Sequence, residues 1–117
     1  MLNRDEILKA ADIKTVTVDV PEWGGVVCVK VMSGMERDAF DQFVYDSRGE
    51  DKKINLAQTR AKLCILTICD EKGNRIFGDD DLALVGSKSA SAIDRIVAAA
   101  RKLNALDGES AESLEKN

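Results

Sequence analysis

Residues that could carry chemistry are few in this chain, because the sequence contains no histidine. Histidine is the commonest general base and metal ligand, so its absence removes every Ser/His and Cys/His nucleophile arrangement. Three cysteines remain, Cys28, Cys64 and Cys69, and all lie inside apolar runs. Their spacing fits neither a zinc site nor a CxxC redox motif, so we interpret them as buried, reduced thiols. We expect no catalytic residue, no cofactor and no metal.

An acidic cluster raises the alternative of a calcium site. Asp70 is followed by the run Asp79–Asp81, but an EF-hand loop requires glycine at its sixth position and glutamate at its twelfth. Counted from Asp70, those positions hold Arg75 and Asp81. The acidic run directly precedes an apolar stretch, so helix capping, beginning at Asp79, is the predicted use.

Composition indicates a soluble globular protein. The chain has 117 residues, 44% of them hydrophobic and 32% charged, with a net charge of −4. No basic stripe is present, which argues against nucleic-acid binding. Leu63–Cys69 is too short to span a membrane, and the N-terminus lacks the apolar region of a signal peptide, so we expect a cytoplasmic protein. We predict one domain over residues 1–106 and a disordered acidic tail over 107–117.

The elements that position the remaining residues begin with a β-hairpin over residues 15–32. Val16, Val18 and Val20 alternate with polar residues, and a second valine-rich run follows the sequence PEWGG. This period of two predicts strands with one apolar face, and Pro21 with two glycines predicts the turn between them. An isolated hairpin is marginal in water, so helices must cover its valine face.

Helices are predicted by apolar periodicity and capping residues over about 4–11, 34–47, 56–69, 80–86 and 89–104. The expected apolar sides include Ile7, Leu8, Met35, Leu84 and Ile93, and Ile76 is expected to return to the core. The segment LCILTIC in the third helix is apolar on every side, which indicates a central, buried helix; its β-branched residues leave a strand as the alternative. Asn104–Leu106 would be the fraying end of the last helix. The predicted fold class is α+β, mainly helical, with the hairpin packed on about four helices.

Two aromatic residues could contact a partner. Trp23 lies in the hairpin turn, where it either folds back as a lid on the valine face or is displayed to a partner; the general burial of tryptophan favours the lid. Tyr45 lies off the apolar stripe of its helix, which favours an interface. The hairpin also leaves strand edges with few blocking charges, so we expect self-association and place Val29 at such an edge.

Several segments follow one another in a recognisable order: VDVPEWGGVVCVKVM, SGMERDAFD, the long segment from LAQTRAKLC to SAIDRI, and then KLNAL and an acidic tail. In this combination the chain resembles the tail assembly chaperones of long-tailed bacteriophages and their prophages. The resemblance covers nearly the whole chain from Thr15 onward and includes no catalytic motif.

The resemblance implies a protein without enzymatic activity that acts in the host cytoplasm. Such a chaperone binds the hydrophobic tape measure protein before tail-tube subunits polymerise around it, and it is absent from the finished virion. The tail-tube protein is a further possible partner. Members of such families often have a longer product made by ribosomal frameshifting, and Glu115–Asn117 can be encoded by an adenine-rich, slippery sequence. The alternative is a structural tail or head–tail connector subunit that stays in the particle.

Overall fold

The computed structural model of the chain describes residues 1–48 and 56–106. Within these ranges, five α-helices accompany a three-stranded antiparallel sheet of order β1-β2-β3, which confirms the predicted α+β, mainly helical class. The elements in chain order are α1 (Arg4–Lys9), β1 (Thr15–Val20), β2 (Gly25–Lys30), α2 (Gly34–Asp46), α3 (Leu56–Thr67), β3 (Ile68–Cys69), α4 (Leu82–Gly86) and α5 (Ala90–Leu103). The predicted disordered tail at 107–117 lies outside the described residues.

The hairpin forms as the alternating pattern predicts. Val16 lies opposite Val29 and Val18 opposite Val27, so these four valines share one face of the sheet. Between the strands, residues Pro21–Trp23 form a single 3₁₀ turn. Gly24 ends this turn with a positive φ of 74°, a conformation that favours glycine because it has no Cβ.

The third helix is shorter than predicted. It ends at Thr67, whose hydroxyl donates a 2.6 Å hydrogen bond to the Leu63 carbonyl, and the chain then continues directly into β3. Ile68 and Cys69 lie opposite Val29 and Cys28 of β2. The helix prediction for these two residues is therefore wrong, because pairing with a distant strand overrides the local helical pattern. The central position of α3 is confirmed, since residues 63–69 are all buried.

Helix α5 supplies the cover for the valine face. Its side chains Ile93, Ile96, Val97 and Ala100 are buried, and the helix packs on β1, β2 and α3. The expected fraying of its last residues is wrong. Asn104 accepts a 2.7 Å hydrogen bond from the Met32 backbone N–H and donates to two carbonyl oxygens, and Leu106 is buried.

A buried ion pair joins the end of β2 to the start of α2. The Lys30 ammonium contacts the Glu36 carboxylate, and their side chains are only 6% and 19% exposed. The same carboxylate accepts a 2.9 Å hydrogen bond from the Ser33 backbone N–H, which completes the capping box of α2. Burial raises the pKa of Glu36, but the hydrogen bonds from Lys30 and Ser33 outweigh it and lower the pKa below its usual value.

Several apolar residues expected in the core are exposed instead. Met35 is 84% exposed, and Ile76 and Leu84 also face solvent. In addition, α1 contains no buried residue, so Ile7 and Leu8 contact no core. Exposed apolar side chains of this size mark surfaces that a partner could cover.

Candidate partner-binding groove

Trp23 is held in place by the turn that follows β1. Glu22 in the same turn accepts a 2.9 Å hydrogen bond from the Arg95 guanidinium of α5. The pKa of Glu22 is lowered by a backbone hydrogen bond, by the Ser91 side chain and by Arg95, so the carboxylate stays charged at neutral pH. The turn is therefore fixed to α5 at one end of the sheet.

Trp23 forms one wall of an apolar groove of about 430 Å³. The other lining residues are Phe77 from the segment before α4, Leu84 and Val85 of α4, and Lys88 just beyond that helix. Leu84 is 66% exposed and Trp23 is 37% exposed, whereas Val85 is buried at the base. The groove thus offers an apolar surface with one cation, which suits the apolar side of a helix.

The α4 wall is attached to α3 by close packing and by charge. A Cβ placed on Gly86 would lie 3.5 Å from the Ala61 Cβ, so the two helices are in direct contact there. Ahead of α4, the Asp79 carboxylate lies 3.3 Å from Arg75 and 3.6 Å from Lys62. A hydrogen bond from Arg75 and the charge of Lys62 lower the pKa of Asp79. Asp79 is an ion-pair residue. The prediction that it is the helix cap is wrong, because Asp79 begins a 3₁₀ turn over Asp79–Asp81 and Asp81 is the residue that precedes α4.

The three residues predicted to contact a partner lie in different environments. Trp23 lines the groove and is 37% exposed, so the indole is partly covered by the chain and partly open to solvent. Tyr45 is 69% exposed on α2 and does not line the groove. Val29 is fully buried in the central strand, so it offers no surface in the folded chain. β3 pairs with β2 at Cys28 and Val29, whereas β1 is an edge strand of the sheet along its whole length.

Leu84, which apolar periodicity places on the core side of its helix, completes the groove together with Phe77. In a helix of 100° per residue, Leu82 and Val85 lie on one side while Leu84 lies about 200° from Leu82. A helix as short as α4 cannot bury both sides on one neighbour. That geometry is the sequence signal that would have placed Leu84 on the surface.

A second concavity lies on the outer face of the sheet. It encloses about 850 Å³, and its apolar residues Val26 and Ile76 are bordered by the charged segment 70–72. Asp70 uses its carboxylate to accept hydrogen bonds from the backbone N–H groups of Lys72 and Asn74, at 2.8 and 2.9 Å. Because of this charged border, the surface suits an apolar partner less well than the Trp23 groove.

The cysteines lie where they have low reactivity. Cys64 is fully buried, and loss of solvation raises the pKa of its thiol to about 12. Burial and the neighbouring Cys28 raise the pKa of Cys69 to about 12 as well. Thiols in this state are protonated at neutral pH and are poor nucleophiles. Among the described residues, no three His, Cys, Asp or Glu side chains form a group that could hold a metal ion.

The sequence matches the model of one protein family, described as phage tail assembly chaperone, over residues 4–117. The chain belongs to the phage tail assembly chaperone family. The fold agrees with a solved structure, that of the bacteriophage HK97 tail assembly chaperone, with a TM-score of 0.61. The two sequences are 24% identical, and the match covers 85% of this chain and 90% of the other. No curated protein matches the sequence.

Family membership gives this chaperone a role in tail assembly and, in general terms, tail proteins as its partners. It points to a non-enzymatic protein. No helix in the described part of the chain is long and apolar enough to cross a membrane.

Proposed function

We propose that this chaperone binds the tape measure protein in the host cytoplasm and keeps it soluble until tail-tube subunits polymerise around it. A long, apolar helical client needs a surface that covers its apolar side until assembly begins. The Trp23 groove is the observation that carries the proposal, since it combines exposed apolar side chains with a rigid frame of α3, α4 and α5. The negative charge of the chain opposes precipitation of the complex.

Leu84→Glu tests the groove as the client site. Leu84 is 66% exposed, so the substitution removes little of the folded core. Burial of a leucine side chain by a partner contributes about 1.5–3 kcal/mol. Since about 1.4 kcal/mol corresponds to a tenfold change in affinity, we expect the tape measure protein to bind roughly 10–100-fold more weakly. Co-expression and pull-down, followed by titration of the purified complex, measure this change.

Tyr45→Glu is the matched control, because Tyr45 is 69% exposed and lies outside the groove. Unchanged binding by the Tyr45 variant together with weak binding by the Leu84 variant supports the groove. The reverse pattern would assign the client site to α2. If the wild-type chain captures no tape measure protein in co-expression, the client assignment itself is wrong.

The proposal includes release of the chaperone before the virion is complete. The alternative, a tail or head–tail connector subunit, predicts abundant peptides of this chain in purified particles, and mass spectrometry of virions distinguishes the two. The longer frameshifted product also stays a prediction, which the gene sequence around the codons for 115–117 tests. We further propose that the chaperone self-associates, because β1 is an edge strand without a proline or a bulge.

A further inference from the structure

The turn that carries Trp23 has little support from its own residues. Pro21–Trp23 form one 3₁₀ turn that contains no buried residue and begins without a side-chain capping hydrogen bond. The Gly24 backbone N–H closes the turn with a 3.0 Å hydrogen bond to the Pro21 carbonyl. An isolated turn of this kind is unfavourable in water, because it fixes several dihedral angles for one hydrogen bond. The position of the indole therefore depends on contacts with the rest of the chain.

Helix α5 provides a specific contact through Glu22, the neighbour of Trp23. The Arg95 Nε–H donates to both carboxylate oxygens of Glu22, at 2.9 and 3.1 Å, from a position 73 residues further along the chain. A backbone hydrogen bond and the Ser91 side chain, one turn earlier on α5, lower the pKa of Glu22. The carboxylate is therefore charged at neutral pH and available to the guanidinium.

The same end of α5 is joined to the opposite wall of the groove. Lys88 lines that wall and directly precedes Ser89, the N-cap of α5. The Ser89 hydroxyl accepts a 3.1 Å hydrogen bond from the Ala92 backbone N–H, which fixes the point where the chain enters the helix. One wall is thus attached to α5 covalently, and the other is attached through Glu22. The Glu22–Arg95 contact accordingly sets the separation of the two walls.

The exposure of this ion pair separates a positioning role from a role in folding. The side chains of Arg95 and Glu22 are 48% and 24% exposed. A pair with this exposure contributes little to the stability of the whole fold, because solvent screens its charges. Helix α5 is held to the core by its own buried side chains, among them Ile93 and Ile96. Loss of the pair should therefore free the turn and leave the fold intact.

We propose that Arg95 is a positioning residue of the client site, which holds Trp23 through Glu22 at the separation from Leu84 that a client helix requires. Arg95 does not line the groove itself. A wall that is ordered in advance spares the complex the cost of ordering the turn, which raises affinity without a new contact. The inference rests on the proposed function of the groove and deepens it.

Arg95→Gln tests the positioning role without a client. Trp23 is the only tryptophan in the sequence, so tryptophan fluorescence reports on this turn alone. The indole is 37% exposed, and release of the turn is expected to raise its quenching by acrylamide up to roughly twofold. The circular dichroism spectrum should stay that of the wild type, because the substituted pair lies at the surface.

Arg60→Gln is the matched control. Arg60 lies 3.7 Å from Asp94 of α5 and is 43% exposed, close to the 48% of Arg95, but it does not pair with the turn. Its substitution removes a surface ion pair of α5 and should leave the quenching at the wild-type level. If Arg95→Gln leaves the quenching unchanged, or if Arg60→Gln raises it equally, Arg95 does not hold the turn and the inference is wrong.

Glu22→Gln removes the other partner of the same contact and gives a second, independent variant. It should raise the quenching as Arg95→Gln does. The double variant should show no larger effect than either single one, because both substitutions act through one interaction. Additive effects would show that the two residues act separately, which overturns the inference.

Client affinity is then measured on the same variants. Ordering one released backbone residue costs about 5–30-fold in affinity, so Arg95→Gln should bind the tape measure protein more weakly by that factor. Arg60→Gln should bind like the wild type. Raised quenching with unchanged affinity would show that the freed turn does not position the client, and the inference fails. If the wild type captures no client, the proposed function fails, whereas the quenching result still decides whether Arg95 holds Trp23.

Discussion

Glu36→Gln should destabilise the chaperone, because it leaves the Lys30 ammonium buried without an anion. Lys30 is almost fully buried, and its remaining acceptor, the Val31 carbonyl, lies 3.5 Å away. Removing one partner of a buried ion pair costs about 3–5 kcal/mol. Glu36 retains some solvent contact and glutamine still accepts the Ser33 hydrogen bond, so we place the loss in free energy of unfolding at about 2–3 kcal/mol.

Urea denaturation of the wild type and the variant measures this loss as a shift in midpoint at constant slope. Asp41→Asn is the control, because the Arg37–Asp41 pair is 36% and 59% exposed and such pairs contribute about 0–1 kcal/mol. Lys30→Met combined with Glu36→Gln should recover much of the loss, since no charge then remains buried. A Glu36 variant within about 0.5 kcal/mol of the wild type would refute this account of the ion pair.

The pH dependence gives the same prediction a second readout. The pKa of Glu36 is lowered in the folded chain from an ordinary value of 4.5. A depressed carboxylate pKa contributes stability above the unfolded pKa, and that stability is lost as the pH falls through the folded pKa. The wild type should therefore lose stability below about pH 4.5, and Glu36→Gln should lose less over the same range. Parallel profiles would contradict the proposed role of the charge.

Two further substitutions test the local structure by the same urea measurement. Asn104→Ala should lower the free energy of unfolding by about 2 kcal/mol, because it leaves the buried Met32 backbone N–H without its 2.7 Å acceptor. The control Gln42→Ala, at an exposed position, should lower it by under about 0.5 kcal/mol. Equal losses in the two variants would contradict the structural role of Asn104. No atom lies within 4 Å of a Cβ built at Gly24 or Gly25, so neither alanine would clash. Gly24→Ala should therefore lower the free energy of unfolding by about 1–2 kcal/mol through its positive φ alone, and Gly25→Ala should lower it less. A larger loss at Gly25 would disprove this explanation.

Local patterns in the sequence predicted the elements whose structure depends on local rules. The hairpin register follows from alternation of valines, and α5 follows from a regular apolar stripe that starts after Ser87 or Ser89, of which Ser89 is the cap in the structure. The failures at Ile68, Cys69 and Asn104 involve contacts between distant parts of the chain. Ile68 and Cys69 become a strand because β2 offers them hydrogen bonds, and Asn104 is ordered because Met32, 72 positions away in the chain, donates to it.

The candidate site was predictable in part. Trp23 attracts notice because a large indole in a turn is uncommon, but its partners Phe77 and Leu84 are unremarkable apolar residues in the sequence. Periodicity shows that a residue lies on the apolar side of its helix or strand. It does not show whether another element packs against that side. Met35 illustrates the same limit, since it continues the stripe of α2 in the first turn, where no element lies against it.

The direct passage from α3 into β3 has a consequence for cooperativity. Residues 63–69 are buried throughout and belong to both the helical layer and the sheet, so neither layer can open without breaking this shared segment. The core should accordingly behave as one cooperative folding unit. Residues 1–13 include no buried side chain, so the unfolding of this N-terminal segment requires only a separate, small free energy. The N-terminal segment can therefore change its conformation while the folded core stays closed.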